Sequence, residues 1–91
     1  MPVLEDNQGP LSFPCAFPVK VMGEADASLA RSILEIVIKH APDYDASTLE
    51  TRRSSNGKYL SLTCTINAFS KSQIDGLYRE LSRHPRVRIA L

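Results

Sequence analysis

The side chains able to do chemistry are few and widely spaced. Two histidines, His40 and His84, and two cysteines, Cys15 and Cys64, stand among ten aspartates and glutamates. Nucleophilic catalysis needs a serine or cysteine within hydrogen-bond reach of a base that is itself oriented. The spacing sets no such nucleophile beside either histidine. Both histidines fall where helices are expected to end, and the helix dipole favours a protonated imidazole there. A structural role accounts for both. Zinc or dithiol chemistry calls for CxxC spacing or clustered histidines, and neither occurs. Asp43 and Asp45 flank Tyr44, but two carboxylates do not make a calcium or magnesium site. We therefore expect no catalytic residue, no metal site and no cofactor, and do not read the chain as an enzyme. The cysteines read as reduced thiols of a cytoplasmic protein.

Two sets of residues point to binding instead. The first is Met22-Gly23-Glu24, just before a helix. Free N–H groups at a helix start can hold a carboxylate or phosphate. Asp26 competes for those donors, and ordinary turn geometry explains a lone glycine as well. The second set is Lys20, Arg52, Ser61, Thr63 and Arg88, which alternate along strands and so share one face of a sheet. RNA-recognition domains bind on such a face by stacking bases on aromatic residues. Here the central positions carry Lys20, Met22, Ser61 and Thr63, and Tyr59 lies at the strand's beginning. With a net charge of +1, a solvated sheet face is the plainer reading, and RNA is the disfavoured alternative.

These positions follow from the hydrophobic rhythm. Phe17, Val19, Val21 and Gly23 alternate with Pro18, Lys20 and Met22, which predicts a half-buried strand over Phe17–Gly23. Asp26 is the expected N-cap of a helix over Ala27–His40, stopped by Ala41-Pro42. Leu29, Ile33, Ile36 and Val37 form its main stripe, with Ala30, Leu34 and Ile38 beside it. That arc is wider than one sheet face covers. The second helix, the Phe13 segment or a second subunit must cover the Leu34–Ile38 side, so a homodimer through the first helix is one expectation.

Asp43–Ala46 reads as a loop and Thr48–Arg53 as an edge strand with Leu49 inward. Ser54-Ser55-Asn56-Gly57-Lys58 reads as a hairpin turn, since Asn-Gly supplies positive φ. Leu60, Leu62, Cys64 and Ile66 alternate with polar neighbours in the clearest strand, which belongs at the sheet centre. Ser70 and Gln73 form a capping box for a helix reaching about Arg83, with Ile74, Leu77, Tyr78 and Leu81 inward and Gly76 toward solvent. Val87, Ile89 and Leu91 alternate with Arg86, Arg88 and Ala90 in a last strand.

The order βαββαβ closes most naturally as a ferredoxin-like α+β domain. Two helices cover one face of a four-stranded antiparallel sheet whose first and third strands are central. The expected inner face includes Val87 and Ile89, and the outer face includes Met22, Glu50, Arg86 and Arg88. Ninety-one residues suit one domain over 13–91, with 1–12 disordered or loosely attached. No apolar run is long enough for a membrane helix, and Met1–Gly9 lacks a signal-peptide pattern.

Phe13-Pro14, the run Phe17-Pro18-Val19-Lys20-Val21-Met22-Gly23 and His40-Ala41-Pro42 resemble the YbeD-like family of small bacterial proteins. So do Ser54-Ser55-Asn56-Gly57-Lys58-Tyr59 leading into Leu60-Ser61-Leu62, then Leu77-Tyr78 with Leu81, and the closing Val87–Leu91. The resemblance implies a fold similar to the ACT regulatory domains, which sense small metabolites. It implies a non-enzymatic regulatory or interaction module that binds a small molecule or a partner protein. In such domains ligand sits near the first strand-helix corner, here Met22, Gly23 and Glu24.

Overall fold

The structure, a computed structural model, describes residues 12–91. The expected loose segment Met1–Ser12 lies, apart from Ser12, outside the described residues. Strands β1 (Cys15–Glu24), β2 (Glu50–Arg53), β3 (Tyr59–Ala68) and β4 (Val87–Ala90) form one antiparallel sheet in the order β2-β3-β1-β4. Helices α1 (Leu29–His40) and α2 (Lys71–Arg83) link them in the ferredoxin-like sequence. The strands with the strictest alternation, β1 and β3, are the central pair, because central strands bury one whole face.

The core lies between sheet and helices. Val19 and Val21 of β1 and Leu62, Cys64 and Ile66 of β3 meet Leu29, Ile33 and Val37 of α1 and Leu77 and Leu81 of α2, all essentially inaccessible to solvent. Phe13 packs partly against this cluster, as does Leu34, while Ile38 stays 40% exposed. The broad arc of α1 is thus covered along its main stripe and open at one margin.

Local chemistry explains the element ends. Ser70 Oγ accepts from Gln73 N at 3.1 Å, and Gln73 Oε1 accepts from Phe69 N at 2.6 Å. Ser70 thus caps α2 as expected, but the return bond from Gln73 reaches Phe69, one residue before the N-cap, and not Ser70 itself. Gln73 Nε2 also donates to the carbonyl of His40, 2.9 Å away, and so ties the start of α2 to the end of α1. In the β2–β3 turn Gly57 has φ 72°, a left-handed angle that glycine adopts without steric cost.

Several boundaries and orientations differ from expectation. Helix α1 begins at Leu29, not Ala27, and Ser28 is its N-cap. Asp26 Oδ1 instead accepts from Ser28 N and Ser28 Oγ, at 2.8 and 2.6 Å. That Asx turn competes with helix for the backbone. Asp45 does the same for Ser47, so Ala46–Thr48 is a single 3-10 turn and β2 starts two residues later than Thr48. Gly76 does not face solvent: a Cβ there would lie 3.4 Å from the His40 ring, so its bare backbone makes room for α1.

The largest difference is in β4. Met22 pairs with Ile89 but Gly23 pairs with Val87, leaving Arg88 as an extra residue. This bulge reverses the alternation. Val87 stays partly buried against the core, whereas Ile89 turns to the outer face and is 47% exposed. Gly23 permits this geometry. A Cβ at that position would collide with the Arg86 carbonyl oxygen.

Candidate functional site

The uncovered face of the sheet forms an open groove of about 600 Å³. Its composition follows from register. One row crosses the strands as Arg52, Ser61, Met22 and Ile89. The next row reads Glu50, Thr63, Lys20 and then Leu91, whose backbone exchanges two hydrogen bonds with Lys20, at 2.9 and 2.7 Å. Neighbouring strands lie about 4.8 Å apart, so members of a row are in contact range. The face therefore grades from charged at β2, through hydroxyls on β3, to apolar at β4. Met22, Ile89 and Leu91 make the apolar end, with the Lys20 ammonium beside it. Lys20 has no ion-pair partner among the described residues.

Of the five residues expected to share this face, Lys20, Arg52, Ser61 and Thr63 line the groove together. Arg88 does not join them, because its guanidinium pairs with the Glu24 carboxylate. Ile89 and Leu91 line the groove as well, although strict alternation along the last strand sends them inward. The available signal was Gly23, a bulge-permitting residue directly across the ladder.

The first strand-helix corner is built differently from a shared pocket. Met22 faces the groove, Gly23 is buried beneath Leu29 and the Arg86 carbonyl, and Glu24 is held by Arg88. Asp26 uses the Ser28 N–H at the start of α1, and Arg86 reaches both Ser28 Oγ, at 3.1 Å, and Asp26, at 3.6 Å. Hydrogen bonds from Ser28 hold the Asp26 carboxyl below the usual carboxylate range. The Asp26 carboxylate and the Arg86 guanidinium thus meet at Ser28, while α1 carries no side-chain cap hydrogen bond.

The remaining reactive groups are engaged elsewhere. His40 Nε2 lies 2.8 Å from Glu80 Oε1, and Lys39 approaches the same oxygen at 3.2 Å. These contacts, the His40 hydrogen bond foremost, lower the Glu80 carboxyl below its ordinary value. His84 Nδ1 accepts from Arg86 N at 3.1 Å, within the turn that starts β4. Burial pushes the Cys64 thiol up, which disfavours the reactive thiolate. Tyr44, beside Cys64, has a buried hydroxyl with no hydrogen-bond partner among the described residues, and burial pushes it up too. Among the described residues no three potential metal ligands cluster, and no helix is long and apolar enough to cross a membrane.

Fold and groove together define a small ferredoxin-like protein with an open, amphipathic sheet face. Residues 9–91 match a family model described as "Protein of unknown function (DUF493)", and the chain belongs to that family. It is 51% identical over 81 residues to the UPF0250 protein NE1487 of Nitrosomonas europaea, covering 89% of this chain and 93% of that one. A UPF0250 protein of Paraburkholderia phytofirmans is 42% identical over 85 residues, 93% of this chain and 96% of its own. One from Janthinobacterium sp. (strain Marseille) is 42% identical across the whole of both chains. The YbeD-like resemblance of the motifs agrees with these matches.

Proposed function

We propose that the chain is a non-enzymatic regulatory module whose open sheet face holds a small anionic metabolite with a short apolar part. The observation that carries this reading is the β4 bulge, which sets Ile89 and Leu91 beside Met22 and next to an unpaired Lys20. An ammonium group at the edge of an apolar strip suits a carboxylate or phosphate attached to an aliphatic or aromatic group. The Ser61 and Thr63 hydroxyls supply orienting hydrogen bonds. The engagement of His40, His84 and Cys64 in structural contacts favours binding over catalysis. The likeness to ACT-type domains supports a sensing role, with the ligand on the sheet face in place of the corner.

The test is an NMR titration of the folded protein with a panel of amino acids and short monocarboxylates. Saturable shifts at Lys20, Met22, Thr63 and Ile89, lost in Lys20→Glu and in Ile89→Ser, are expected. Shifts confined to the Gly23–Asp26 corner would return the site to that corner. No shift at millimolar ligand would overturn the metabolite reading. If single-stranded RNA at low salt, or an added partner protein, moved these residues when the panel did not, the face would be a macromolecular surface instead.

A further inference from the structure

The edge strand β2 carries an unused pairing register. It is the outermost strand on its side of the sheet and all its residues are exposed. In an antiparallel ladder, hydrogen-bonded pairs alternate with non-bonded ones. Ser54 N donates to Tyr59 O at 2.9 Å, which marks that pair as hydrogen-bonded. Two and four residues back along β2, the pairs Arg52–Ser61 and Glu50–Thr63 are then of the same kind. The backbone groups of Thr51 and Arg53 therefore point away from β3, toward the open edge.

A second copy of this chain fits that edge by symmetry. When two β2 strands run antiparallel about a dyad at Thr51, Thr51 meets its own copy. Glu50 then meets Arg52 of the second copy, and Arg52 meets its Glu50. Opposed residues keep the same face, so both ion pairs form on the open side of the sheet. A dyad at Arg52 or at Glu50 would set like charges against each other. The Thr51 register is thus the one the charges select. Neither Glu50 nor Arg52 enters an ion pair among the described residues, so both are available. The open margin of α1 is the weaker candidate surface, because Ile38 there is ringed by Arg31, Glu35 and Lys39.

We propose that the protein self-associates edge to edge through β2, around a dyad at Thr51, joining two four-stranded sheets into one. Each groove then continues across the dyad into the other. The contact is shorter than a standard interface of roughly 1,600 Å², so the dimer is weak and exchanging. The two reciprocal ion pairs make it sensitive to salt.

Sedimentation equilibrium from micromolar to millimolar protein tests this. The wild type is expected to dimerise, less so at high salt. Glu50→Arg and Arg52→Glu each oppose four like charges at the dyad and raise the dissociation constant by roughly tenfold or more. Mixing these two variants restores both ion pairs, as does the double variant E50R/R52E alone, so both recover association. Thr51→Pro removes an outward N–H without touching the β3 ladder, and abolishes the dimer while circular dichroism stays native. A wild type monomeric throughout, single variants that associate normally, or no recovery on mixing would each overturn the proposal. So would a dimer lost in Ile38→Lys and untouched by the β2 variants. Glu50 and Arg52 also line the groove, so the two readings are separated by readout: sedimentation without ligand reports association, and the titration followed at Lys20 and Ile89 reports the ligand.

Discussion

Met22 stands opposite Ile89 across the β1–β4 ladder, while its neighbour Gly23 stands opposite Val87. That single skipped residue turns the end of β4 over. It places an isoleucine on the solvent face and leaves the Arg88 guanidinium within reach of Glu24. The character of the open face depends on it.

Gly23→Ala should therefore be one of the costliest single-methyl additions in the chain. The new Cβ meets the Arg86 carbonyl and the Leu29 side chain. Overpacking of this kind costs about 1–3 kcal/mol. Urea unfolding would measure it, and amide shifts in Val87–Leu91 should report a displaced β4.

The two faces of β3 should respond oppositely to truncation. Leu62 is fully buried, and Leu62→Ala should lose about 2–5 kcal/mol. Thr63, on the open face, should tolerate alanine within about 0.5 kcal/mol. Equal losses at both positions would refute the assignment of faces.

The α1–α2 junction predicts a pH signature. Glu80 titrates lower in the folded state than its ordinary 4.5, chiefly through the His40 hydrogen bond. A carboxyl with a depressed folded value stabilises the protein above its unfolded value, and that stability is lost as the pH falls through the folded value. Glu80→Gln should thus lower the melting temperature near neutral pH. The difference from wild type should shrink as the pH drops below 4.5. A constant difference down to strongly acid pH would argue against the linkage.

Ser70→Ala removes the acceptor for the Gln73 N–H and should cost about 1 kcal/mol. Hydrogen exchange should quicken first at Ser72–Ile74. Because Gln73 also donates to the His40 carbonyl, protection at the end of α1 should fall with it.

Much of this molecule was legible from residue order alone. Side-chain period decides strand from helix locally, so β1, β3 and both helices could be placed, and with them the βαββαβ order and the central position of β1 and β3. Lys20, Met22, Ser61 and Thr63 were assigned to one face by the same rule. Tertiary structure decided the rest. The Asp26 carboxylate could cap a helix or fold onto Ser28, and only the Arg86 side chain arriving from the turn before β4 shows which geometry the corner adopts. Gly76 looked solvent-facing until α1 brought His40 across it. The turn of Ile89 and Leu91 onto the open face required knowing that Gly23 and Arg86 lie against each other. A bulge is a property of two paired strands, and the alternation within one strand contains no record of its partner.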